Sequence, residues 1–169
     1  KEKYGEYPVA VGLVGEGSQC YGYDDIYSVD HDYGMGFCVW MSEETYRKVG
    51  TQLQKEYERI TKPYNRITTE EGQGRVGVMT VDSFIRRIAG VYPVSEKEWM
   101  TVKEEQLSAL TNGKIFYDPY DVITCKTYSI RRYPEKVKMK KLAVSLHEMA
   151  QSGQYNYLRC YKRKDKGAM

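Results

Sequence analysis

Residues 9–41 read VAVGLVGEGSQCYGYDDIYSVDHDYGMGFCVWM, and this stretch decides the fold. Its first residues, Val9 to Val14, are β-rich and stop at the glycine cluster GEGS, residues 15–18. A short apolar run closed by glycines reads as a buried strand entering a tight turn. Gln19 to Ser28 is polar, tyrosine-rich and irregular, which fits a loop or a short helix. A second strand is expected from Val29 through DHDYG into Gly36–Met41. Alternate residues of a strand share a face, so Asp30 and Asp32 stand side by side there, with His31 turned away.

Two carboxylates that close repel each other unless a positive charge lies between them. Mg²⁺ suits them, because it prefers oxygen ligands and keeps positions open for phosphate oxygens. Twelve residues upstream, Gly17 lets the backbone approach a ligand, and Ser18 offers a phosphate both its N–H and its hydroxyl. A phosphate cradle beside a metal pair is the equipment that phosphoryl chemistry needs. Asp24 and Asp25 read as a turn or helix cap, which aspartate favours.

Outward from this stretch, Ser42 offers a helix N-cap, and Glu43 and Glu44 sit where negative charge meets the helix dipole. Tyr46, Val49, Leu53, Tyr57 and Ile60 follow at spacings of three and four, an amphipathic helix that stops before Pro63. Arg75 to Val81 reads as a third strand, with Asp82 capping a short helix through Ile88 that Gly90 closes. From Pro93 the segments Ser95–Met100, Val102–Leu110 and Tyr120–Ile130 look helical, joined by turn signals such as Thr111-Asn-Gly113. Pro134 opens a further helix to about Gln151. Met139, Leu142, Leu146 and Met149 share one of its faces, His147 lies on its rim, and Gly153 is its expected end. The expectation is an α+β chain, with a small mixed sheet and flanking helices over residues 1–92 and a helical lobe over 93–169.

The order strand, Gly17-Ser18, about ten residues, then Asp30-x-Asp32 resembles the signature of the polymerase-β-like nucleotidyltransferase superfamily. GSQCYGYDDIYSVDHDYGMGFCVWM, LTNGKIFYD (110–118) and QSGQYNYLRC (151–160) together resemble an uncharacterised bacterial family known only as a domain of unknown function. The first resemblance implies a nucleotidyltransferase fold in which Asp30 and Asp32 hold Mg²⁺. An acceptor hydroxyl would attack the α-phosphate of a nucleoside triphosphate such as ATP, expelling pyrophosphate. Gly17 and Ser18 would hold the β- and γ-phosphates. Tyr155, Asn156 and Tyr157 could close over the base by stacking, and Arg159 could meet the triphosphate. The chain departs from the superfamily at one point. The usual third carboxylate, which serves as base for the acceptor, falls at Gly77 in RVGVMTVD. A catalytically silent nucleotide-binding module is therefore the rival reading, with a structural protein whose DHD is only a polar loop as a third. The ending KRKDKGAM resembles a longer family member cut short.

Composition narrows the partners. A net charge of +3 on 169 residues carries no nucleic-acid footprint, and the basic residues crowd only at the end, in Arg159, Lys162, Arg163, Lys164 and Lys166. That run reads as a solvated tail. No apolar stretch approaches the roughly 20 residues of a membrane span, and the start KEKYGEYP has no apolar core of a secretory signal. Cys20, Cys38, Cys125 and Cys160 are scattered, as expected for free thiols in a cytoplasmic protein.

Overall fold

The computed structural model describes residues 5–23, 36–64 and 75–164, with the Asn156 side chain excepted. It is a mixed α+β structure whose contacts gather into two units, residues 1–132 and 133–169. The division expected after Tyr92 falls inside the first unit.

The first unit is built on a four-stranded sheet in the order β3-β2-β1-β4. These strands are β1 (Val9–Leu13), β2 (Cys38–Met41), β3 (Gly77–Thr80) and β4 (Lys114–Tyr117). β1 runs antiparallel to both β2 and β4, while β2 and β3 are parallel. A parallel neighbour needs a long crossover, and the Ser42 helix provides it. Ser42 Oγ accepts from Thr45 N–H at 3.1 Å, as its sequence position predicts. The helix runs as α2 (Glu43–Thr45), a π-helical segment (Tyr46–Gly50) and α3 (Thr51–Thr61).

Alternation along the strands sends side chains to two faces. On one, Val39, Met41 and Val78 are buried with Phe37, Tyr46, Leu53 and Tyr57 packed against them. On the other, fully buried Trp40 meets Phe84 edge-on, with ring centroids 5.3 Å apart. Phe84 belongs to α4 (Val81–Ala89), which starts where β3 stops. The cap of α4 is Thr80, whose hydroxyl accepts from Ser83 N–H, and not Asp82 as expected. Asp82 sits instead in the first turn of α4, where its charge still suits the helix dipole.

Beyond α4 come α5 (Glu96–Thr101), α6 (Glu104–Thr111) and α7 (Thr124–Arg131), close to the helices expected there. Ser95 and Glu98 close a reciprocal cap on α5. Hydrogen bonds from the Ser95 backbone, the Ser95 hydroxyl and the Val94 backbone hold the Glu98 carboxyl below its ordinary range. β4 departs from the all-helical reading of this region. Its four residues alternate exposed and half-buried along the sheet's edge, where Ile115, Phe116 and Tyr117 are residue types that favour strands and the strand pairs with β1.

The second unit is one helical run: α8 (Glu135–Gln151), a π-helical segment (Ser152–Tyr157) and α9 (Leu158–Arg163). Gly153 does not end the helix as expected. Among the described residues a Cβ there would meet nothing within 4 Å, and the wider π-turn carries the chain through it. Met139, Leu142, Leu146 and Met149 do share a face, yet each is more than half exposed.

Candidate functional site

β1 delivers the chain to the glycine turn. Gly15 is gripped there by a residue from far along the sequence. The Asn112 side-chain amide donates to Gly15 O at 2.8 Å and accepts from Gly15 N–H at 3.1 Å. Asn112 caps the end of α6 and precedes β4, which lies beside β1 in the sheet. The amide thus pairs with Gly15 much as another strand residue would, and it fixes where the turn stands. The stretch LTNGKIFYD matters to the site through this one side chain.

After Gly15 the backbone enters conformations that only glycine adopts easily. Gly17 has φ 147° and ψ 145°, and directly precedes α1 (Ser18–Tyr21), which buries Cys20. Among the described residues a Cβ at Gly17 would touch only the Gln19 side chain, at 3.8 Å. Backbone conformation, and not crowding, therefore selects glycine here. A larger residue at position 17 would cost stability with or without a ligand.

Arg87 of α4 lies against the same turn. Its Nη1 meets Glu16 Oε2 at 3.0 Å, and a Cβ on Gly15 would stand 3.9 Å from its Nη2. Nε and Nη2 are buried and find no hydrogen-bond partner among the described residues. Nothing in the sequence marks Arg87, since the contact depends on α4 packing beside the turn. Sequence reasoning missed both Arg87 and Asn112.

Asp30 and Asp32 lie outside the described residues, as do Asp24, Asp25 and His31. Gly77, expected where a third carboxylate would stand, opens β3 with φ 123° and donates its N–H to Phe37 O at 3.0 Å. An aspartate at that position would be strained whatever space surrounds it. The nearest carboxylate along the chain, Asp82, is exposed. Lys126 is held protonated above the ordinary lysine range, first by a hydrogen bond with Tyr92 and more weakly by the charge of Asp82. Among the described residues no three His, Cys, Asp or Glu side chains gather to hold a metal ion.

The remaining candidates belong to the second unit. Tyr155 lines an open cavity of about 290 Å³ with His147, Glu148, Gln151 and Ser152. His147 Nε2 and Gln151 Nε2 lie 3.1 Å apart, so the histidine is partnered within its own helix. Asn156 shares the π-helical segment with Tyr155, and Arg159 follows on α9 with its side chain exposed. None of the four cysteines is in a disulfide, and Cys20 and Cys38 are buried. No described helix is long and apolar enough to cross a membrane.

Residues 99–169 match a family described as a domain of unknown function, DUF4037. The match takes in Asn112, Tyr155, Asn156 and Arg159, and it leaves the glycine turn, Arg87 and the aspartate pair outside. No curated protein and no solved structure matches the chain.

Proposed function

We propose that this chain binds a nucleoside triphosphate with Mg²⁺ and transfers its nucleoside monophosphate to an acceptor hydroxyl. One observation carries the reading: the glycine turn that closes β1, set by the Asn112 clamp with Gly17 at φ 147°. Such a turn presents backbone N–H groups and the Ser18 hydroxyl to a phosphate without a side chain in the way. The sheet supports it. β1 and β2 are adjacent and antiparallel with Gly12 opposite Cys38, so the turn leaves β1 at the end where β2 begins.

Asp30 and Asp32 would hold Mg²⁺, a hard cation suited to carboxylate oxygen, which when bound neutralises charge on the phosphates. Gly17 and Ser18 grip the β- and γ-phosphates. The acceptor oxygen bonds to the α-phosphorus as the bond to the bridging oxygen breaks, and pyrophosphate leaves with that electron pair. The hydroxyl proton needs a base, and Gly77 offers none. That single position favours a second reading, a nucleotide-binding module without turnover.

Calorimetric titration of Mg²⁺–ATP, and of the other triphosphates in turn, tests the binding common to both readings. Asp30→Asn with Asp32→Asn should abolish it in a protein that remains folded. Release of pyrophosphate from any triphosphate selects the transferase. Unchanged binding by the folded double variant would place the site elsewhere.

A further inference from the structure

Arginine carries five N–H donors, and Arg87 uses only Nη1, toward Glu16, among the described residues. Nε and Nη2 are buried without a partner. Buried donors are nearly always satisfied, and a guanidinium that must stay charged is costly to leave half-bonded. The unused donors therefore point to an acceptor that the described residues do not supply.

The surroundings say what kind of acceptor it is. Gly15 presents only backbone toward the guanidinium, and a Cβ there would stand 3.9 Å from the buried Nη2, so a ligand reaches the fork from the side that Glu16 now holds. The Glu16 partner is weakly committed, because the side chains of this pair are 26% and 45% exposed and water screens their attraction. A planar fork with spare donors beside a glycine turn suits a tetrahedral oxyanion, which it can hold by two parallel charge-assisted bonds. A carboxylate already occupies one arm of the fork, so the site selects anions.

We infer that Arg87 is the phosphate-binding cation of the glycine turn, and that Glu16 competes with the phosphate for it. The inference rests on the nucleotide reading for the identity of the ligand, a polyphosphate. Binding then exchanges one carboxylate for phosphate oxygens on the same guanidinium, which releases Glu16 to solvent. Arg87 and Glu16 together set the affinity for polyphosphate, and the competition keeps singly charged anions from taking the turn.

The test uses two probes on the full chain: inorganic tripolyphosphate in EDTA, and Mg²⁺–ATP. Wild type, Arg87→Gln, Arg87→Lys and Glu16→Gln are titrated by calorimetry, with thermal unfolding as the folding check. Arg87→Gln should weaken tripolyphosphate roughly tenfold or more, the loss of charge-assisted bonds. Arg87→Lys should fall between it and wild type, since a lysine keeps the charge and loses the fork. Glu16→Gln should tighten binding severalfold, and this variant carries the test if Arg87→Gln unfolds. Equal binding by folded Arg87→Gln and wild type, or weaker binding by Glu16→Gln, would overturn the assignment.

The two probes separate this inference from the transferase reading. Mg²⁺–ATP binding that ignores Arg87 overturns the inference alone. Arg87-dependent tripolyphosphate binding without any Mg²⁺–ATP binding supports the anion site and sinks the nucleotide reading. Binding of neither probe overturns both.

Discussion

Replacing Asn112 with alanine removes both arms of the clamp on Gly15, the bonds of 2.8 Å and 3.1 Å. Each contributes a net ~1 kcal/mol when made, and a stranded partner adds ~1–3 kcal/mol when it is fully buried. The Gly15 groups are only partly buried, so water recovers some of that second cost. Asn112→Ala should therefore destabilise the protein by about 2–3 kcal/mol, or roughly 5–10 °C in melting temperature for a chain of this size. Urea unfolding followed by circular dichroism reads the loss as a lower midpoint at constant slope. Asn112→Asp is the sharper probe. Its carboxylate still accepts from Gly15 N–H, but it sets a second oxygen against Gly15 O where the amide donated. Only the protonated acid restores the donor, so folding raises this carboxyl's pKa. A group with a raised folded pKa loses stability as pH rises from its unfolded value through its folded one. The aspartate variant should thus lie near alanine at neutral pH and recover toward wild type in acid. A loss below ~0.5 kcal/mol for Asn112→Ala would refute the reasoning, since the clamp would then be incidental to the turn.

Two more outcomes follow from the packing and the caps. Trp40→Ala empties a site that is 0% exposed and strips Phe84 of its edge contact, and should cost about 3–5 kcal/mol in denaturant unfolding. Trp40→Phe should cost clearly less, because the indole N–H it removes has no partner among the described residues. Glu98→Ala should speed amide exchange at Val94 and Ser95, whose N–H groups donate to that carboxylate. The Glu98 pKa is lowered on folding, so its contribution is present above the ordinary glutamate range and lost as pH falls through the folded value. Wild type and variant should exchange alike once the carboxyl is protonated, and a difference that persists there would contradict the role given to Glu98.

What the sequence by itself determined is everything written between near neighbours. The run Val9–Val14 with its glycines yields β1 and the turn, and Ser42 caps its helix through Thr45, three residues on. Ser95 and Glu98 close on each other over the same spacing. Hydrogen bonds and periodicities of this range depend on local residue types, so they can be read in order along the chain. Local signals also misled where two residues competed for one role. Thr80 took the cap expected of Asp82, and Gly153 was carried through a π-turn rather than ending its helix. The tertiary structure alone decided how distant pieces meet. β4 found its partner in β1 across about a hundred residues of chain. Asn112 reaches Gly15 over 97 positions, and Arg87 reaches Glu16 over 71. Neither pair carries a spacing rule, because the distance between them is set by how α4 and the α6–β4 turn pack on the sheet. Packing is a sum of many weak contacts with no fixed period, so it places side chains that no local pattern could have brought together.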